Sequence, residues 1–184
     1  RYIDVVTDKW ESDPKLLTKG RLKITENMWF IGTENNDDST FAISDKVYDR
    51  AMIMNLDKKT QPFTAEQTRG ATVTIEKWEE LVSQAGKDYG ITGRNARKIK
   101  QLDRYMIRNF HITFGNRIMK QINSYVPVVI ACGGDELEAI DDILSKKVLR
   151  KLESQNPIYV RNSAEGLRNY LDEVFGENKM KKCK

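Results

Sequence analysis

The 184-residue sequence predicts a mainly α-helical protein with a small α/β beginning. Three observations predict it. Two short apolar runs, 28–31 and 51–56, are bounded by Gly32 and by Asn and Asp clusters, the pattern of buried strands. A polar stretch holding one proline and one glycine, 60–71, then separates them from the rest and reads as a linker. Beyond it, apolar residues recur at helical spacing almost to the end. On this reading residues 1–59 are the α/β part and residues 60–184 a helical domain.

In chain order, Tyr2, Val5, Val6 and Trp10 have roughly helical spacing, and Ser12-Asp13-Pro14 would break that helix. Lys19-Gly20-Arg21 reads as a turn, with Leu22 and Ile24 in a short extended piece. The first apolar run, Met28 to Ile31, is followed by a polar burst from Thr33 to Thr40. A short helical piece near Ser44 to Arg50 leads into the second run, Ala51 to Leu56. In the helical domain, Ile75, Trp78, Leu81 and Val82 share a face, and Gly86 is placed to stop the helix. Ile99, Leu102, Met106 and Phe110 form the next stripe, and Ile118, Ile122 and Tyr125 the one after. Leu137, Ile140, Leu144 and Val148 mark another helix. The last helix carries Leu167, Tyr170, Leu171, Val174 and Phe175 on one face. Asn162 and Glu165 have capping-box spacing before it, and Gly176 is placed to end it. The Lys-rich tail, Lys179 to Lys184, is expected to be a disordered or truncated end. A helical set of this size can bury its own core, whereas two strands need a third strand or a helix layer.

Composition narrows the class. The chain is 39% hydrophobic and 32% charged, as expected of a soluble globular protein, and no apolar run reaches membrane-spanning length. The first residues show no signal-peptide pattern, so a cytoplasmic location is expected. Because the chain does not begin with Met, it reads as a piece of a longer protein. Cys132 and Cys183, with His111 as the single histidine, do not make a zinc set, and free thiols are expected. A net charge of +4 permits an anionic partner without demanding one.

The polar burst is where chemistry is sought. Thr33, Asn35, Asn36, Asp37 and Asp38 follow a predicted strand end, which suits either a turn or a ligand site. The order is more specific than the cluster: apolar strand, Gly-Thr-x-Asn, Asp38, Asp45 seven residues on, then Asp49-Arg50 before the next run. It resembles the second half of a AAA+ nucleotide-hydrolysing domain, and most closely the McrB-like proteins, GTP-hydrolysing motor subunits of methyl-directed restriction systems. On that resemblance Asn35 is the sensor-1 residue, Asp38 and Asp45 fill the two acidic positions, and Arg50 is the arginine finger. The family often has several arginines in a row, whereas here Asp49 and Ala51 flank Arg50. A sensor asparagine helps orient the attacking water, and an arginine finger puts a fixed cation on charge developing in the transition state. A finger acts in trans, so the resemblance implies an oligomer. The structural alternative for Arg50 is an exposed arginine beside a helix C-terminus.

A second resemblance lies in the helical part. Phe114-Gly115-Asn116-Arg117-Ile118 opens a helix, and Lys147-Val148-Leu149-Arg150-Lys151-Leu152 follows further on. The McrB-like helical lid has a similar Gly-x-Arg and a similar Lys-Val-Leu-x-Lys-Leu. Arg117 would then be the sensor-2 residue, reaching from lid to phosphate. Its alternative is a surface arginine in a first helical turn, slightly disfavoured by the dipole.

A phosphate loop, GxxxxGK[ST], is absent. Val126 to Ala131 resembles a Walker B strand, but Cys132-Gly133-Gly134 intervenes before Asp135-Glu136, so a helix end with a glycine-rich turn is the expectation. The resemblance therefore implies that the chain begins just after the Walker B segment of a parent. ATP or GTP with Mg2+ would be bound only in that intact parent, and the chain alone would not hydrolyse nucleotide. Its partners would be the phosphate-loop half or identical subunits in a ring. Without the phosphate-loop strand, the runs near Phe30 and Ile53 would have unpaired edges and would be disordered, rearranged, paired elsewhere or completed by the other half.

One reading comes from a different class: a non-enzymatic helical module that binds nucleic acid or an acidic protein. Arg94, Arg97, Arg104 and Arg108 lie close to one helical face. A solvated helix face explains the same charges. His111 has no carboxylate or Cys set around it, and Trp10, Trp29 and Trp78 read as core or interface aromatics.

Overall fold

Lys19 and Gly20 both take positive φ, 54° and 73°, which suits a tight two-residue hairpin. They join β2 (Leu17–Thr18) to β3 (Arg21–Lys23), and β1 (Tyr2–Asp4) pairs antiparallel on the far side, giving the order β1-β3-β2. The register sets Ile3 against Leu22 and Asp4 against Arg21, whose side chains pair at 3.1 Å. Both groups are well exposed, so the pair contributes at most about 1 kcal/mol. The predicted turn at Lys19-Gly20 and the extended piece after it are therefore present. The helical spacing of Tyr2 and Val5 misleads, because cross-strand bonding to β3 outweighs a weak period over so few residues.

The computed structural model describes residues 1–5, 17–33, 47, 50–54, 56 and 61–184. Among them, the two predicted strands do not form. Residues 28–33 and 52–54 have no regular structure, and Trp29, Phe30 and Ile31 are exposed. Among the described residues no neighbouring strand serves their backbone groups, and a lone extended run has nothing to bury its side chains against. Trp29 meets Trp78 edge-to-face at 5.8 Å, yet both rings stay exposed, so neither is a core aromatic. Val6, Trp10, the polar cluster Asn35 to Asp45 and most of the Ser44–Arg50 piece lie outside the described residues. At its end, the N–H groups of Arg50 and Ala51 both donate to the Val47 carbonyl, at 2.9 and 2.8 Å, closing one helical turn.

Five α-helices follow among the described residues: α1 (Ile75–Asp88), α2 (Gly93–Phe110), α3 (Gly115–Ala131), α4 (Glu136–Lys147) and α5 (Pro157–Phe175), with a 3-10 helix, Leu149–Ser154, between the last two. Local chemistry sets the ends. The Thr92 and Asp135 side chains accept N–H groups in the first turns of α2 and α4. His111, at φ 55°, closes α2 in the left-handed conformation that glycine usually supplies. Gly86 does not stop α1, which runs on to Asp88. The cap of α5 is Asn156, followed by Pro157 at the first helical position, so Asn162 and Glu165 lie inside the helix instead of before it. Residues 126–131 are helical, ending in a turn through Gly133 at φ 88°.

The chain divides into two compact units, Arg1–Phe41 with Thr72–Trp78, and Ala42–Ala71 with Glu79–Lys184. The core belongs to the second. Ile99, Leu102, Met106 and Phe110 of α2 are wholly buried, with Ile122 and Val126 of α3, Ile140, Ile143 and Leu144 of α4, and Leu171 of α5. Each stripe predicted from α2 onward thus faces this core, and each large side chain contributes roughly 1.5–3 kcal/mol of burial. The tail is not a disordered end. Met180 is fully buried and Cys183 nearly so, and the tail's backbone is bound to α4.

Candidate functional site

Tyr125 on α3 donates its hydroxyl to Asp142 on α4 at 2.8 Å. The two residues stand about equally far from the 132–135 turn, so the helices run back along each other. The start of α3 and the end of α4 therefore share one end of the pair. Arg117 is exposed in the first turn of α3, with no acidic residue in that turn and no side-chain cap before it. Lys147 ends α4, is buried, and donates its ammonium to the carbonyl of Ala51, the residue after Arg50. Arg50, itself exposed, is thus carried to the same end of the helix pair as Arg117. Asn35, the third predicted site residue, lies outside the described residues.

A polar centre that the sequence did not announce sits further along α4. Asp141 and Asp142 are both buried. Asp141 accepts the backbone N–H groups of Lys182 and Cys183 at 2.8 and 2.9 Å, pinning the tail. Asp142 accepts from Tyr125, from Lys146 at 2.7 Å and from Lys182 at 2.5 Å. Burial pushes the Asp142 carboxyl upward, but the donors Lys146, Lys182 and Tyr125 outweigh it and hold the group at about 2. Burial, with the bond to Asp142, pushes the Tyr125 hydroxyl up to about 12. Lys182 is raised by its hydrogen bond to Asp142. Burial, then Asp141, drives the Cys183 thiol upward, so it is not a reactive thiolate. A cavity of about 500 Å³ borders this centre, lined by Ile53, Lys146, Arg150, Lys182 and Cys183 among others. Its cations face carboxylates already: Arg150 lies 3.6 Å from Glu153, and Lys184 lies 2.5 Å from Asp172. These are structural ion pairs, and the centre is a fastening for the tail.

Arg94, Arg97, Arg104 and Arg108 are all exposed on α2, on the side away from its buried stripe. Lys98 turns inward, over the Phe175 ring, where burial and Arg94 lower its pKa. His111 serves as the α2 cap. Cys132 and Cys183 are free thiols. Among the described residues no group of three or more His, Cys, Asp or Glu could hold a metal ion, and no helix is long and apolar enough to cross a membrane. The described chain is thus a mainly helical protein with a small three-stranded antiparallel sheet and two exposed arginines at one end of a helix pair. No protein-family model, curated protein or solved structure matches it.

Sequence reading missed Lys147, Asp141, Asp142 and the docked tail. A signal existed for all but Lys147. The adjacent acids interrupt an otherwise apolar helical stripe, between Ile140 and Ile143. Met180 and Cys183 are the two apolar residues in a lysine run, and both are buried.

Proposed function

We propose that this chain is the sensor, finger and lid portion of a McrB-like AAA+ nucleotide-hydrolysing domain, active only within a larger cytoplasmic assembly. The observation that carries the reading is that Arg50 and Arg117, singled out by separate stretches of sequence, stand at the same end of the α3–α4 pair. Each of the two guanidiniums is exposed, and a guanidinium can bind phosphate oxygens bidentately, Arg117 within the subunit and Arg50 across an interface. In this reading Arg117 holds a phosphate from the helical side, Arg50 serves a neighbouring subunit, and Asn35 orients water.

The chain by itself does not make a nucleotide site. Its sequence has no phosphate loop, the element that cradles the phosphates in this chemistry. ATP or GTP with Mg2+ would be cradled by a phosphate-loop half outside these residues. The test is equilibrium binding of ATP and GTP analogues to the intact protein. Arg117→Ala is expected to weaken binding about 10- to 100-fold, the worth of a charged hydrogen bond to phosphate. Unchanged affinity would remove the sensor-2 role.

One observation favours a second reading: all four arginines of the α2 stripe are exposed on one face. A helical module using that face would bind nucleic acid with steep salt dependence. Retention on heparin that is unchanged by Arg97→Glu with Arg104→Glu would dismiss it.

A further inference from the structure

Arg50 is exposed, and the described residues that follow it, 51–54, form no helix or strand, which is a poor platform for a group that must be accurately placed. Three contacts nevertheless fix its backbone. The turn closed on the Val47 carbonyl holds Arg50 and Ala51 from the N-terminal side. The Ala51 carbonyl accepts the Lys147 ammonium. Two residues on, Ile53 is half-buried and lines the cavity with Leu149 and Cys183.

We propose that Lys147 is the positioning residue for Arg50: its buried ammonium, at the end of α4, holds the carbonyl beside Arg50 and so sets where the guanidinium stands. The inference rests on the reading of Arg50 as a finger. Burying an ammonium is costly unless it meets acceptors, and the C-terminal end of α4 favours a cation there. A backbone carbonyl at that point gains a fixed, charge-assisted bond to a rigid helix. Displacing a catalytic group by about 1 Å can cost roughly 100-fold in rate, so such a tether would be felt in turnover. The tether also links Arg50 to the same helix pair that bears Arg117, so the two arginines would move together.

The test has two readouts on the intact protein. The first is limited trypsin cleavage at the Arg50–Ala51 bond, followed by mass spectrometry, with thermal unfolding as the control for global stability. Lys147→Met, which keeps length and removes the donors, should raise cleavage at that bond about tenfold or more at an unchanged unfolding midpoint. Should Lys147→Met fail to fold, Lys147→Gln, which removes the charge from the bond to the Ala51 carbonyl, is read by the same cleavage and should raise it likewise. Unchanged cleavage overturns the tether. The second readout is nucleotide turnover. Lys147→Met should lower it nearly as far as Arg50→Ala, with the double variant no slower than Arg50→Ala alone. Additive losses would overturn the positioning role. Raised cleavage with turnover indifferent to Arg50→Ala would keep the tether and overturn the finger reading instead.

Discussion

Asp142→Asn tests the polar centre that fastens the tail. The substitution keeps the side chain's shape and removes its charge. Three donors converge on this carboxylate, at 2.8, 2.7 and 2.5 Å. Its folded pKa of about 2 lies below the ordinary 3.8. At 1.36 kcal/mol per pKa unit the difference amounts to about 2 kcal/mol. Lys182 is more than half exposed and Lys146 about a third, so solvent screening trims this to roughly 1–2 kcal/mol. The amide also turns an N–H2 toward one of the donors, which leaves a buried polar group poorly matched and adds about 1 kcal/mol. Urea unfolding at pH 7 should therefore show a loss of roughly 2–3 kcal/mol. The pH dependence has a definite sign. A carboxyl with a depressed folded pKa stabilises above its unfolded value, near 4, and loses that contribution as pH falls through about 2. The wild-type stability curve should fall across that window, and the Asp142→Asn curve should lack this component. A loss below about 0.5 kcal/mol, or parallel curves between pH 4 and 2, would refute the assignment.

Two further substitutions probe how the α3–α4 pair is built. A Cβ at Gly134 would lie 2.6 Å from Val129 Cγ1 and 3.0 Å from the Val129 carbonyl oxygen, so Gly134→Ala should destabilise by about 1–3 kcal/mol in urea unfolding. Asp135 accepts the N–H groups of Leu137 and Glu138 at the start of α4, so Asp135→Ala should cost about 1 kcal/mol by the same assay.

Much of the helical part was legible because periodicity and burial report the same thing. Ile99, Leu102, Met106 and Phe110 recur at helical spacing, and all four are in the core. The strands were not legible in the same way. Met28 to Ile31 has the composition of a buried strand, but composition cannot supply the neighbour that a strand requires, and the run is exposed. Conversely, β2 and β3 are too short to show alternation, and their pairing is set by the turn at Lys19-Gly20. The arginines could be singled out from motif order, whereas the Lys147 contact joins residues 96 apart and leaves no local trace. The tail was misread because lysines dominate its composition, while two backbone N–H groups and one methionine decide its fate.

Steady-state turnover of ATP and GTP by the intact protein tests whether Arg50 is an arginine finger. Arg50→Ala should lower turnover by about a thousandfold or more, the usual worth of an arginine finger, while assembly by size-exclusion chromatography is preserved. Mixing this variant with subunits that bear Arg50 should then restore part of the rate, because the finger acts across an interface. Turnover unchanged by Arg50→Ala, in a protein that still assembles, would contradict the finger role.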